Sequence, residues 1–177
     1  MTYHFKQWLI SLKHYVQMCL FISGPDRLPG GFHSILISLF FYCLIGFSLV
    51  DEQHSYSTIM AQIAIELSLL AGFIYTGLRW KNMLIRLTQS FSALLGINLV
   101  ISAVSIPVYQ ALIEEYGSVG DGEINRNVLN ATLLILFWNL AVMSLVLKQA
   151  LDINTLLAAM ISFNYFMVYQ FLIVWLF

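Results

Sequence analysis

The stretch Tyr56–Leu78, YSTIMAQIAIELSLLAGFIYTGL, decides the class of this chain. Crossing the hydrocarbon layer of a bilayer takes about 20 apolar residues, and this run supplies them. It carries one charge, Glu66. An ionised carboxylate at that depth costs about 3 kcal/mol on insertion scales. Glu66 is therefore expected to face other helices and to be protonated or hydrogen-bonded. Gln62 stands one turn before it on the same helical face.

Four more apolar segments lie around this one, at residues 33–50, 86–112, 128–147 and 154–176. The composition agrees. Of 177 residues only 17 are charged, 8 basic and 9 acidic, and 60% are apolar. Charge thus makes up 10% of the chain, against about 25% in an ordinary soluble domain. So few charges cannot coat a soluble globule. The chain is too apolar for disorder. A net charge of −1 argues against nucleic acid as a partner.

The expected fold class is all-α: a polytopic membrane helix bundle with five transmembrane helices plus an N-terminal amphipathic interfacial helix. The lipid bilayer is its first partner. Residues 1–23 form the interfacial part and residues 24–177 the membrane domain. On five spans, seven of the eight basic residues fall on one side: Lys6, Lys13, Arg27, Arg79, Lys81, Arg86 and Lys148. The positive-inside rule makes that side cytoplasmic. It places the N-terminus inside and the C-terminus outside, as expected of a bacterial inner-membrane protein. Lys13 and His14 interrupt what would be the apolar core of a signal peptide.

Residues 2–22 read as a separate helix. Trp8, Leu9, Leu12, Tyr15, Val16, Cys19 and Leu20 recur at helical spacing, with Lys6, Lys13 and Gln17 near the opposite face. Such a helix lies in the cytoplasmic interface or braces the bundle, and the pattern supports both equally. Lys6, Trp8 and Lys13 are the expected membrane-surface contacts. Ser23-Gly24-Pro25 ends the helix, and Pro29-Gly30-Gly31 completes a turn into the first span. From Glu114 to Arg126 runs an acidic, glycine-rich loop with Gly117, Gly120, Gly122, Asp121 and Glu123, expected to be a solvated connection.

Asn98, Asn139 and Asn164 sit near the middle of three other spans. With Glu66 and Gln62 they make a candidate polar layer. Two readings compete. A proton-relay or substrate site is the functional one. Interhelical hydrogen-bond glue, worth about 0.6–2 kcal/mol per contact, is the commoner use of such residues. Tyr165 and Tyr169 share a face of the last span and are expected to pack in the core or against lipid. Three rows of small residues would let helices approach closely, within one bundle or across a homodimer: Ser68-Gly72-Thr76, Ser92-Gly96 and Ala158-Ser162.

Soluble-enzyme chemistry finds no foothold. There is no Gly-x-Ser-x-Gly and no His-Glu-x-x-His. Two cysteines, Cys19 and Cys43, and four scattered histidines offer no zinc-ligand spacing. No catalytic residue, metal ligand or cofactor is expected.

Two further spans carry a family resemblance. One reads Leu87-Thr88-Gln89-Ser90-Phe91-Ser92-Ala93, then Ser105-Ile106-Pro107. The other holds Phe137-Trp138-Asn139-Leu140 and runs to Leu147-Lys148-Gln149-Ala150, then a short Leu151-Asp152-Ile153-Asn154 linker. Over about residues 30–177 the chain resembles the Yip1-domain family in its compact bacterial form. The resemblance implies five spans, a cytosolic N-terminus and a non-enzymatic role in organising membranes, trafficking or assembling complexes. Partners would be other membrane proteins or a second copy of the chain. The hydrophilic N-terminal region of eukaryotic members is missing from this sequence, which argues against GTPase binding. The alternative, from the residues themselves, is a small channel or proton-linked carrier working through Glu66. A water-filled cavity reaching Glu66 favours that alternative, and a dry, close-packed site favours glue.

Overall fold

The computed structural model describes residues 2–28, 32–48, 56–118 and 125–176. Among the described residues there are six α-helices and no strand. They are α1 (Thr2–Cys19), α2 (Phe32–Ser48), α3 (Tyr56–Trp80), α4 (Leu87–Ser118), α5 (Arg126–Leu151) and α6 (Thr155–Leu176). Four of them, α3 to α6, are long and apolar enough to cross a membrane. The chain is an integral membrane helix bundle. α2 is apolar but has 17 residues. At 1.5 Å per residue that is somewhat less than the ~30 Å hydrocarbon layer. The expected turn at Pro29-Gly30-Gly31 lies outside the described residues, as do Asp51, Glu52, His54 and the tip of the acidic loop.

The expected start of that loop needs correction. α4 continues past 112 to Ser118, carrying Pro107 inside it. Proline removes one helical N–H but holds φ near a helical value, so flanking packing can carry the helix through it.

Helices α2 to α6 alternate in direction. Gly46 near the end of α2 meets Ile63 near the start of α3. Gly77 near the end of α3 meets Leu151 at the end of α5. The turns after α3 and α5 are therefore at one end of the bundle, the end with the basic residues Arg79, Lys81, Arg86 and Lys148. Both turns are tight because Asn82 and Asp152 take left-handed φ values of 57° and 50°. Short polar side chains tolerate that conformation. The Met83 N–H then closes on the Leu78 carbonyl at 2.8 Å and the Ile153 N–H on the Lys148 carbonyl at 3.2 Å. Asn154 starts α6 by accepting the Leu157 N–H at 2.7 Å.

α4 is the central helix. Of its most apolar stretch 56% is buried, against 11–17% for α3, α5 and α6. It packs on α1, α2, α3 and α5. The basic half of the bundle is close-packed around Leu70, Ile74, Leu78, Leu94, Ile97 and Leu147, all almost fully buried. α5 and α6 are joined there by Ser144 and Ser162, whose hydroxyls are 3.0 Å apart.

α1 is a brace. It crosses α2, α4 and α5, and its inner face is Trp8, Ser11, Tyr15, Met18 and Cys19, all buried. Small residues on the neighbours receive it. The Trp8 indole N–H donates to Ser38 Oγ at 3.3 Å, and its ring stacks on Phe41 at 4.8 Å. Ser11 Oγ donates to Ser34 Oγ at 3.2 Å. Tyr15 Oη pairs with Ser92 Oγ at 2.8 Å. Its ring lies against Gly96, where any Cβ would collide with it. The Trp138 indole N–H donates to the Cys19 carbonyl at 2.9 Å, satisfying the end of the helix.

This corrects the expected division of the helix. Trp8 is not a membrane-surface contact, because its polar tip finds a buried serine. The seven apolar positions do not share a face: Trp8, Tyr15 and Cys19 point in, while Leu9, Val16 and Leu20 point out. Lys6 and Lys13 are exposed beside that outer apolar strip.

Candidate functional site

The other half of the bundle is hollow. A cavity of about 540 Å³ lies between α2, α3, α4, α5 and α6, lined mainly by their segments farthest from the basic turns. It stops at mid-bundle, where Met143 and Tyr165 sit above the packed core.

Glu66 lies in its wall, brought there by α3. The Tyr42 hydroxyl of α2 hydrogen-bonds to the Glu66 carboxyl. The part of Glu66 left accessible opens on the cavity. Gln62, one turn earlier, lines the same wall. α4 adds Asn98, and α5 adds Asn139. Four of the five expected polar residues thus meet at one cavity. Asn164 does not. It is exposed on the outside of α6, because the next residue, Tyr165, faces in and a helix turns 100° per residue.

The carboxamides of Gln62, Asn98 and Asn139 make no side-chain hydrogen bond among the described residues. Among the described residues, the helix-to-helix hydrogen bond at this layer is Glu66–Tyr42. Serines join helices elsewhere, at Ser144–Ser162 and under α1. A serine hydroxyl is small enough to bond at close helix approach, whereas a carboxamide needs room.

The tyrosines change the picture most. Tyr165 and Tyr169 line the cavity rather than packing only against core or lipid. Tyr42 and Tyr109 do so as well. Tyr109, Tyr165 and Tyr169 all lie within electrostatic range of Glu66. Tyr165 is 7% exposed, yet its hydroxyl has no hydrogen-bond partner among the described residues. A buried hydroxyl left without a partner costs roughly 1–3 kcal/mol. The sequence signal for this was available: a tyrosine deep in a span needs something polar at its tip.

Among the described residues, Glu66 is the one charged group lining the cavity. Among the described residues no cluster of three or more metal-ligating side chains occurs. The site can therefore accept and donate hydrogen bonds, hold or release one proton at Glu66, and enclose a small molecule. Compared with family models, with curated proteins and with solved structures, the chain matches none of them.

Proposed function

We propose that this chain is a five-span membrane protein that binds a small polar solute in a one-sided cavity and carries it in exchange with a proton at Glu66. The observation that carries this reading is the cavity itself. A polar wall of unpaired carboxamides, a buried unpartnered hydroxyl and a lone carboxyl is costly to keep in a bundle that binds nothing. α2 serves as the fifth span in this reading: it sets out from the basic end beside α4 and reaches Ile63 of α3 at the other. The basic turns then face the cytoplasm, the cavity opens outward, and the N-terminus is inside, as in a bacterial inner membrane. No reaction chemistry is assigned to it.

The test is proton flux. In proteoliposomes, a solute gradient should drive proton movement with the wild type and none with Glu66→Gln. Normal coupled flux in Glu66→Gln would sink the proposal. The Yip1-like reading draws on a different observation. The Ser68-Gly72-Thr76 row faces out from α3, and a Cβ added at Gly72 would meet nothing on the neighbouring helices within 4 Å. A membrane-organising protein would use that row against another helix. Crosslinking in membranes distinguishes the two, since a solute carrier does not require a partner there.

A further inference from the structure

Among the described residues the cavity wall contains one acid, no base and four tyrosines, and this combination selects a class of ligand. We infer that the solute is an organic monocation, an ammonium compound, which pairs with Glu66 and displaces its proton. The inference rests on the solute-binding reading above and names what that cavity takes.

Charge comes first. A carboxylate enclosed by protein is unfavourable unless a cation stands beside it. The groups facing Glu66 from each helix supply none. α2 offers Tyr42, α4 offers Tyr109 and Asn98, α6 offers Tyr165 and Tyr169, and α5 offers Asn139. None of these is positively charged. Glu66 must therefore keep its proton or receive a cation from outside. An anionic solute would find no counter-charge there.

Aromatic lining comes second. A tyrosine presents either a π face or a hydroxyl oxygen, and each attracts a cation. Four of them come from three helices around a single carboxyl. The unpaired carboxamide oxygens of Asn98 and Asn139 can accept hydrogen bonds from ammonium N–H groups. So can the Tyr165 hydroxyl oxygen, which already lacks a partner.

Size and apolar surface come third. The cavity holds about 540 Å³, within the roughly 300–1,000 Å³ of small-molecule sites. A bare alkali ion needs a tight oxygen shell instead. Ile59, Ile101, Leu136 and Phe166 give the wall apolar area suited to a hydrocarbon body. One carboxyl matches one positive charge.

Binding then follows a balanced exchange. The Glu66 O–H gives its proton to water or buffer, and the carboxylate pairs with the incoming ammonium. Nothing is oxidised and no covalent bond to the solute forms.

The experiment is calorimetric titration of the full chain in detergent micelles across the neutral pH range. 3,3-Dimethylbutylammonium, which carries N–H groups, and choline, which carries none, are the cationic probes. 3,3-Dimethylbutan-1-ol is the uncharged isostere of both, and 3,3-dimethylbutanoate is the anion of similar shape. The cations should bind roughly tenfold or more tightly than the isostere, with one proton released per cation. Their affinity should rise up to about tenfold per pH unit while Glu66 is protonated. Glu66→Gln keeps a hydrogen-bonding group opposite Tyr42 and should erase the preference for cations while leaving isostere binding in place. Tyr165→Phe should weaken the N–H-bearing cation without lowering the melting temperature. If the isostere or the anion binds as tightly as the cations, and Tyr165→Phe still weakens it, the cation assignment is overturned while solute binding stands. If no probe binds, both fail.

Discussion

Gly96→Ala tests how α1 is held. A Cβ at Gly96 would overlap the Cγ, Cδ1 and Cε1 atoms of the Tyr15 ring. The ring has no free direction in which to retreat. Tyr15 is fully buried, and its hydroxyl is tied to Ser92 at 2.8 Å and approached by the Ser38 hydroxyl at 3.4 Å. One added methyl group therefore has to push α1 off α4. Overpacking of this kind typically costs 1–3 kcal/mol, and losing the Tyr15–Ser92 hydrogen bond adds about 1 kcal/mol. The expected loss is about 2–4 kcal/mol. Cys19, at the end of α1, reports the movement. It is 1% exposed, and burial pushes its thiol up to about 12 from an ordinary 9.0. Near pH 8 that leaves about a thousandfold less reactive thiolate. The sign is that of a group held protonated by the fold. Its contribution to stability is intact below about 9 and is lost as pH rises from there towards about 12. In a Cys43→Ala background, maleimide labelling of Cys19 should be slow in the parent and strongly accelerated by Gly96→Ala, with a lower melting temperature. Adding Tyr15→Ala should make the double variant less damaged than the two singles predict. Unchanged labelling and unchanged melting in Gly96→Ala would falsify the close approach of Tyr15 to Gly96.

Three further outcomes are expected. Tyr165→Phe removes a buried hydroxyl that has no partner, so thermal unfolding should show unchanged or higher stability, by up to about 1 kcal/mol; a clear loss would mean the hydroxyl is already satisfied. Ser144→Ala and Ser162→Ala should each loosen α5 from α6, and a double-mutant cycle should return a coupling of about 0.6 kcal/mol, typical for hydrogen bonds between membrane helices; zero coupling would contradict their 3.0 Å contact. Gly72→Leu projects into open space and should change monomer stability by no more than about 0.5 kcal/mol. If it also abolishes a crosslinked dimer, the small-residue row is a seam between copies.

Much of this architecture was legible in the chain. The segments at 56–78, 128–147 and 154–176 lie within or nearly coincide with α3, α5 and α6, because a long apolar run with polar ends has few other solutions. The end of α4 falls beyond 112 because the glutamates and glycines from Glu114 on read as loop, while the helical backbone continues to Ser118. In α1 the pattern of apolar positions was a poor guide. In a bundle that is apolar on both sides, hydrophobicity no longer separates inside from outside. Size and hydrogen-bonding reach did so instead, burying Trp8 and Tyr15 beside serines and leaving Leu9 and Val16 outside.

The site divides along the same line. Sequence by itself determined that Glu66 is the exceptional charge, since a carboxylate inside an apolar run is costly wherever the run folds. It also put Gln62 beside Glu66, because both belong to one helical face. Only the tertiary structure decided that Asn98 and Asn139 join them, that Asn164 does not, and that four tyrosines surround the carboxyl. Those facts depend on how each helix is rotated about its own axis, and the linear order of residues does not contain that rotation. Close packing of small residues under α1 and between α5 and α6 sets it, and in doing so leaves the half of the bundle away from the basic turns hollow around Glu66.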